Sequence, residues 1–223
     1  PAPAPAPPAP SGGGAGGAPP APAGAEVRFR GYAYPAAEIS IFRNGAFLRK
    51  DLAAADGTFE ILVSAVPGGL AKFDLSAKDT DGRTSIVLTL ESSVVEGGGN
   101  TISNIIFPPT IELAETSVRQ GERFIVRGQA FPNSDVMVVI DNGPKPIITK
   151  STSAGIWGLA IDTLGLAVGD HSIKAQEKIP QGPGSTFSKV IPFKIFARGV
   201  VFCKGPDVNA DGRVDLQDFS ILL

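Results

Sequence analysis

Histidine, cysteine, methionine and tryptophan each occur once in the 223 residues of this chain. The single histidine, His171, excludes most histidine-based catalysis and any metal site with several histidine ligands. Cys203 has no intramolecular partner, and we favour a packed thiol over a disulfide to another chain or to a residue beyond Leu223. Because the only methionine is Met137, we expect that a targeting segment has been removed or that the chain is a fragment.

Charge and long apolar runs are also scarce. The formal net charge is −2, so nothing indicates a nucleic acid or an anionic membrane surface as partner. No apolar run approaches the ~18 residues that span a bilayer, so we expect no transmembrane segment in this chain. A glycine-rich phosphate loop is absent, and no nucleophile has a recognisable base and orienting group. These absences predict a protein that is not an enzyme.

The first 24 residues contain only proline, alanine, glycine and one serine. Such a segment cannot bury enough surface to fold, so we expect a disordered stalk over residues 1–24. Its Pro-Ala repeats favour extended polyproline II, with a glycine-rich hinge over residues 12–17. We therefore interpret this segment as a linker.

From residue 26 onwards, apolar and polar residues alternate in short runs, as in Phe59, Ile61 and Val63. A period of two is typical of antiparallel sheets that pack on one face. Turn signals recur between the runs, at Asn44-Gly45, Asp56-Gly57, Asp81-Gly82, Asn142-Gly143 and Ala154-Gly155. The pattern predicts an all-β chain of the sandwich class.

The alternating region repeats itself. Residues 30–39 match residues 127–136 at an offset of 97, and Phe59 matches Trp157 at an offset of 98. At that second offset, Phe73 falls on His171. We therefore predict two tandem sandwiches of roughly 100 residues each, over residues 25–107 and 108–198. The prolines of Phe107-Pro108-Pro109 are expected to stiffen the connection between them.

The repeated segments resemble the immunoglobulin-like domains of bacterial extracellular proteins. The resemblance rests on residues 31–35, 56–59 and 76–85 of the first copy and on their order and repetition. It covers most of residues 26–198. It implies two immunoglobulin-like β-sandwiches with spacer, display or adhesive roles, in an extracellular or cell-surface location.

The last residues hold oxygen-bearing side chains at a distinctive spacing. Positions 1, 3, 5, 9 and 12 of a twelve-residue loop are occupied by such side chains, and Gly212 at position 6 permits a sharp turn. Ca²⁺ takes six to eight oxygen ligands, which a loop supplies when alternate residues point inward. The position-7 ligand would be a backbone carbonyl. The pattern predicts a calcium site with ligands from Asp207, Asn209, Asp211, Arg213, Asp215 and Asp218.

With the apolar run Phe219-Ser220-Ile221-Leu222-Leu223, this motif resembles a dockerin repeat, the calcium loop and helix that binds cohesin modules. Aspartate at position 12 and a breaker before the loop fit that family. Residues 199–223 are therefore interpreted as a partial dockerin-like unit with a short loop-helix. The motif occurs once rather than twice, and Leu216 and Gln217 replace the usual small hydroxyl pair. The resemblance implies a cohesin-like or surface protein as partner, but it does not identify that partner.

Several other residues suggest sites but are better explained by structure. Asp79-Thr80-Asp81-Gly82 offers too few ligands for a calcium cage, so we interpret it as a hairpin turn. We expect His171 to be a half-buried histidine at the start of a strand. Trp157 and Tyr34 are expected to pack in the cores, because their repeat partners are Phe59 and Phe131.

These observations predict a non-enzymatic, secreted or cell-surface modular protein that acts as a spacer with a calcium-dependent docking unit. Three alternatives stay open: an adhesin that binds a glycan or a protein, the non-catalytic part of a larger secreted hydrolase, and a homo-oligomeric subunit of a surface filament. An exposed aromatic patch on one loop cluster would favour the adhesin.

Overall fold

The computed structural model describes residues 24–141 and 145–199, and every regular element within them is a β-strand. The predicted all-β fold is therefore confirmed. The first seven strands are β1 (Ala25–Tyr32), β2 (Glu38–Arg43), β3 (Ala46–Leu52), β4 (Thr58–Val66), β5 (Gly69–Lys78), β6 (Leu88–Val94) and β7 (Gly99–Ile106). The next eight are β8 (Glu112–Leu113), β9 (Ser117–Arg119), β10 (Arg123–Gln129), β11 (Asp135–Ile140), β12 (Ile147–Lys150), β13 (Ile156–Asp162), β14 (Gly169–Lys178) and β15 (Ile191–Phe196).

Strands β1 to β7 form the first sandwich. One sheet has the order β4-β1-β7 and the other β3-β2-β5-β6. Strand β1 pairs antiparallel with β4 and parallel with β7. Alternate residues of each strand face the space between the sheets, as the burial of β5 shows with Ala71, Phe73, Leu75 and Ala77. This alternation is what the period-two pattern predicts.

Strands β8 to β15 form the second sandwich. Its sheets have the orders β13-β10-β8 and β12-β11-β14-β15-β9. The second sheet has one strand more than its counterpart in the first sandwich, because β9 pairs in parallel with the outer edge of β15. The two tandem sandwiches also differ at the edge of the smaller sheet, where β7 pairs in parallel with β1 but β8 pairs antiparallel with β10.

Each sandwich has its own core of buried apolar side chains. In the first, the rings of Phe29 and Phe73 meet edge to face with centroids 5.1 Å apart. In the second, Phe124 and Phe193 lie 4.9 Å apart, and Trp157 is 1 % exposed. The prediction that Trp157 is a core residue is confirmed.

The register of the repeat shifts along the chain. Trp157 pairs with Gly128 where Phe59 pairs with Gly31, as expected. In β14, however, the offset is 100 residues, because the segment from the start of β13 to the start of β14 is two residues longer than the segment from the start of β4 to the start of β5. The counterpart of Phe73 is therefore Ile173, so the sequence match between Phe73 and His171 is wrong by two residues.

The two chain ends leave the sandwiches far from the connection between them. Ala25, at the start of β1, pairs with Val66, whereas Tyr32 at the other end of β1 lies next to the connecting residues. In the second sandwich, Gln129 lies next to the connection, and β15 ends at Phe196 beside Gln120 at the opposite end. Among the described residues, no helix is long and apolar enough to cross a membrane.

Two predicted segments lie almost wholly outside the residues that the structure describes. The stalk lies there except for Gly24, and the dockerin-like segment lies there except for Gly199. The predicted turn at Asn142-Gly143 lies outside them too. The other predicted turns are present; at Asn44-Gly45, for example, both residues have positive φ (49° and 83°), as a tight hairpin turn requires.

Candidate functional site at the joint between the sandwiches

The predicted calcium ligands Asp207, Asn209, Asp211, Arg213, Asp215 and Asp218 all lie outside the described residues. Within the described ranges, no group of three or more histidine, cysteine or acidic side chains could hold a metal ion. The densest cluster of polar contacts instead lies where the two sandwiches meet. We call this region the joint.

A buried carboxylate organises the polar half of the joint. Asp79 is 5 % exposed and follows β5 directly. Its Oδ1 accepts hydrogen bonds from the backbone N–H groups of Asp81 (3.0 Å) and Arg83 (2.8 Å). These bonds fold residues 79–83 into a turn, so the hairpin interpretation of this segment is confirmed. The other oxygen, Oδ2, is left for side chains.

Arg83 carries the contact from the first sandwich to the second. Its Nε donates to Asp79 Oδ2 at 2.7 Å, and its Nη1 donates to Glu112 Oε2 on β8 at 3.1 Å. The remaining Nη2 pairs with Asp81. Its side chain is only 11 % exposed, and the guanidinium bridges the buried carboxylate of Asp79 and the exposed carboxylates of Asp81 and Glu112. Burial opposes the charge of Arg83, but these carboxylates outweigh it and raise its pKa.

A threonine in the connecting segment completes the link. The Thr110 hydroxyl donates to Asp79 Oδ2 at 2.6 Å and accepts from the Gln129 backbone N–H at 2.8 Å. The Gln129 side chain reaches back to the hydroxyl of Thr80 in the first sandwich. Asp79 therefore accepts four hydrogen bonds, one of them from the second sandwich's side of the joint, which is what a buried carboxylate needs.

The connection itself is buried. All residues from 105 to 111 are buried, including both prolines. The Phe107 N–H donates to the Tyr32 carbonyl at 3.0 Å, and the Thr110 N–H donates to the Gln129 carbonyl at 2.9 Å. The connecting backbone is thus bonded to both sandwiches, which leaves little freedom for a hinge.

The apolar half of the joint is reciprocal. Phe131 of the second sandwich meets Tyr32 of the first edge to face, with centroids 5.3 Å apart. Gly57 lies under Phe131, where an added Cβ would come within 2.9 Å of the ring. At the equivalent place in the other copy, an added Cβ on Gly155 would lie 2.6 Å from Pro35 Cδ. Both glycines have positive φ, so turn geometry and close packing both favour glycine here.

A buried acid holds the phenylalanine of this contact. Glu177 on β14 is 1 % exposed, and its Oε2 accepts the Phe131 N–H at 2.7 Å. Its Oε1 is buried with no hydrogen-bond partner. Burial raises the pKa of Glu177 to about 8 and outweighs the opposing effects of the Phe131 N–H and of Ser134. At neutral pH the carboxyl is therefore largely protonated.

Sequence reasoning missed Arg83, Thr110 and Glu177. Glu177 was missed because of the register shift in β14: the sequence match makes Ala175, rather than Glu177, the counterpart of Ala77 in the repeat. Arg83 and Thr110 belong to a turn and a connection, where periodicity carries no signal. The uncharged, mostly apolar run over residues 105–111, with a threonine just after two prolines, is the one local hint that the connection has a packing role.

His171 lies at the far end of the second sandwich, on β14. Its ring stacks on Phe193 at 5.3 Å, its Nε2 lies 2.8 Å from the Ala167 carbonyl, and its Nδ1 pairs with Asp141. Burial lowers the pKa of His171, but these two acceptors outweigh it and the net pKa is raised. The prediction of a structural histidine is confirmed, and so is the packing role of Tyr34, whose buried hydroxyl donates to the Ala77 carbonyl at 2.9 Å.

No protein-family model matches the chain, and no curated protein matches it. Solved structures with a similar fold include fibronectin(III)-like modules of CbhA from Clostridium thermocellum, at 14% identity over 78% of this chain and 85% of that one, with a TM-score of 0.34. A putative membrane anchored protein from Corynebacterium diphtheriae is 12% identical over 82% of this chain and 50% of its own, with a TM-score of 0.38. Similarity at this level concerns the sandwich fold alone.

Proposed function

We propose that this chain is a non-catalytic spacer of a secreted or cell-surface protein, in which the joint fixes the two sandwiches end to end. The observation that carries the proposal is the buried contact of Asp79 and Arg83 with Glu112 and Thr110 across the joint. A spacer of this kind consists of two modules, residues 25–107 and 108–198.

The physical argument concerns what bending would cost. Separating the sandwiches would remove Thr110 from the buried Asp79 carboxylate and Glu112 from Arg83. Asp79 and Arg83 would keep each other as partners, so the cost is that of the two lost contacts: about 1.5–3 kcal/mol for the Thr110 hydrogen bond to a charged group, and less for Glu112, whose side chain is 43% exposed. Bending would also expose the connection over residues 105–111, which is buried. The joint therefore favours one relative orientation.

The placement of the chain ends also supports a spacer. The chain enters the first sandwich and leaves the second at the ends remote from the joint. A rigid joint then holds whatever is attached before Gly24 and after Gly199 at a fixed separation. Neither Ala25 nor Phe196 is close to the joint.

Spin-label distances test the rigidity. Labels at Ser64→Cys and Ala160→Cys, both exposed and in different sandwiches, are introduced in a Cys203→Ser background. We expect one narrow distance distribution by pulsed electron paramagnetic resonance. The variant Arg83→Ala should broaden it, whereas Arg28→Ala, which removes an exposed ion pair within the first sandwich, should not. A broad distribution in the unaltered chain would refute the spacer proposal.

We also propose that residues 199–223 bind Ca²⁺ through the predicted ligands and dock a cohesin-like or surface protein. The support is the spacing of oxygen-bearing side chains and the resemblance to dockerin repeats. Isothermal titration of the full chain with CaCl₂ tests the metal. We expect one binding event that Asp207→Ala or Asp218→Ala abolishes while both sandwiches stay folded. The lack of any heat in the unaltered chain would contradict the proposal.

A further inference from the structure

Within the described residues, the second sandwich buries an acid without pairing it with a cation. Glu177 is 1 % exposed, and its Oε2 accepts the Phe131 N–H at 2.7 Å. Its Oε1 is buried and has no hydrogen-bond partner. By contrast, the buried Asp79 of the first sandwich accepts four hydrogen bonds, one of them from the guanidinium of Arg83. A carboxyl with as few partners as Glu177 is accommodated in its uncharged form.

The described elements of the second sandwich that enclose this acid bring no cation to it. On β11 and β12, Asp135 and Lys150 pair with each other at exposed positions. On β14, Lys178 is exposed and points to the opposite face of the strand. The turn over residues 131–134 and the segment over residues 179–188 contain no charged residue. The charged side chains of β10 and β13 are all exposed, and they are Arg123, Arg127 and Asp162.

Across the joint, the titratable groups of the first sandwich are already engaged. The Tyr34 hydroxyl is buried and donates to the Ala77 carbonyl at 2.9 Å. Burial, Asp79 and Glu177 all raise the pKa of Tyr34, so the phenol stays neutral. The cation on this side, Arg83, already bridges three carboxylates. An ionised Glu177 would therefore be a buried charge that no described cation neutralises.

The residue that Glu177 holds is also the residue that crosses the joint. The Phe131 ring meets Tyr32 edge to face, with centroids 5.3 Å apart, and lies against Gly57. Phe131 is half-buried, whereas the carboxyl to which its N–H is bonded is enclosed. Water that reaches this carboxyl from the joint must therefore displace Phe131. The charge of Glu177 and the position of the Phe131 ring are thus coupled.

We propose that Glu177 is a latch for the joint: uncharged, it holds Phe131 against the first sandwich, and once it has lost its proton to solvent it takes up water and releases this contact. This role rests on the proposed spacer function and adds a condition under which the spacer bends. Burial raises the pKa of Glu177 to about 8, so the latch is closed at acidic and neutral pH and opens at alkaline pH.

The polar half of the joint keeps its charges when the latch opens. Burial opposes the charge of Arg83, but its carboxylate partners outweigh it and raise the pKa. Arg83 in turn holds the pKa of Glu112 below its usual range. Both groups therefore stay charged in alkaline solution, and their contact across the joint persists. We expect the sandwiches to stay joined but to gain freedom of orientation.

Spin-label distances at two pH values test the latch. The labels at Ser64→Cys and Ala160→Cys, in the Cys203→Ser background of the full chain, are measured at about pH 6.5 and about pH 9.5, on either side of the pKa of Glu177. We expect a narrow distribution at the lower pH and one at least ~2-fold wider at the higher pH. Glu177→Gln should stay narrow at both, because its neutral amide oxygen can accept the Phe131 N–H.

The outcomes separate the latch from the spacer. An equally narrow distribution at both pH values in the unaltered chain overturns the latch and leaves the spacer intact. Broadening at the higher pH in Glu177→Gln as well would assign the effect to another group and also overturn the latch. A broad distribution already at the lower pH would refute the spacer itself.

The single tryptophan distinguishes release of the latch from unfolding of the second sandwich. Trp157 is buried in the core of that sandwich, so its emission maximum reports whether the core is intact. We expect the maximum to be the same at both pH values. A shift at the higher pH towards the emission of the chain unfolded in urea would overturn the latch, because the whole sandwich would then respond rather than the joint.

A matched pair of variants tests whether the latch acts through Phe131. Phe131→Ala removes the ring that crosses the joint, so its distance distribution should be broad at both pH values. Phe47→Ala serves as the control, because Phe47 is an exposed phenylalanine that contacts Phe42 within the first sandwich. That variant should behave as the unaltered chain does. A narrow distribution for Phe131→Ala at both pH values would contradict the proposal.

Discussion

At one equivalent position, the two sandwiches form buried hydrogen bonds of different chemistry. In the first, Tyr34 donates its hydroxyl to the carbonyl of Ala77. In the second, Phe131 takes the place of Tyr34, and Glu177 takes the place of Ala77 and accepts the Phe131 N–H. The phenol stays neutral over the physiological range, because burial raises the pKa of Tyr34 even further. The carboxyl titrates, so one copy is insensitive to pH at this place and the other is sensitive.

The joint is asymmetric for a related reason. Residues 79–83 form the charged turn that crosses the joint, whereas the same turn in the second copy has Ile179 and Pro183 at the places of Asp79 and Arg83. Only the apolar contacts of the joint are reciprocal. The difference shows that two copies of one fold can be held together by contacts whose charged residues occur in only one copy. It also indicates where substitutions will separate the two copies.

The largest expected effect concerns Glu177. Its pKa is 4.5 for the ordinary group and about 8 when folded, so the folded state retains a proton that the unfolded state loses. The contribution of Glu177 to the stability of the second sandwich should therefore be complete below about pH 4.5 and be lost up to about pH 8, at about 1.4 kcal/mol per pH unit. Urea denaturation across this range measures the loss, and Glu177→Gln should largely remove it.

The control for this experiment is Glu115→Gln, because Glu115 is an exposed acid of the same sandwich. That variant should keep the pH dependence of the unaltered chain. An identical pH profile in Glu177→Gln and the unaltered chain would refute the assignment of a protonated carboxyl at this position.

The next effect concerns the charged turn. Arg83→Ala leaves the buried Asp79 carboxylate without its guanidinium and should lower the free energy of unfolding of the first sandwich by about 3 kcal/mol. Arg127→Ala removes only an exposed pair with Glu112 and should cost less than about 1 kcal/mol. Comparable midpoints in urea for the two variants would show that the turn does not depend on the buried pair.

An effect of similar size should separate backbone strain from close packing at the joint. Gly155→Ala introduces backbone strain and a steric clash, because φ is +75° and the new Cβ would lie 2.6 Å from Pro35 Cδ and from the Ala130 carbonyl oxygen. Gly45→Ala meets strain only, since φ is +83° and nothing lies within 4 Å. We expect Gly155→Ala to lower the free energy of unfolding by about 3 kcal/mol and Gly45→Ala by about 1 kcal/mol, as measured by thermal unfolding. Equal costs would mean that close packing contributes nothing at this turn.

The smallest effect concerns His171. The raised pKa means that its contribution is complete below the ordinary pKa of 6.5 and is lost as pH rises through the higher folded value. We expect less than about 1 kcal/mol, because Asp141 is substantially exposed. Titration of the His171 ring signals by NMR, in a Glu177→Gln background, checks the direction. In Asp141→Asn the pKa should fall; a rise would contradict the pairing.

Sequence analysis predicted the features that the two copies share and missed the features that only one copy has. The paired offsets at Phe59 and Trp157 correctly predicted two sandwiches with these residues in their cores. Glu177 was missed because two extra residues before β14 change its counterpart, and alternation cannot reveal a two-residue shift, which leaves the buried face unchanged. Arg83 and Thr110 gain their roles only when two distant turns meet. The calcium ligands over residues 207–218 stay a prediction.

The central claim is that the joint holds the sandwiches in one orientation, and residual dipolar couplings test it most directly. Couplings are measured separately for the amides of residues 25–107 and 111–196 in one aligned sample of the full chain. We predict a single alignment tensor that fits both sets with one fixed relative orientation of the sandwiches. Two tensors of different magnitude would show independent motion of the sandwiches and would contradict the account.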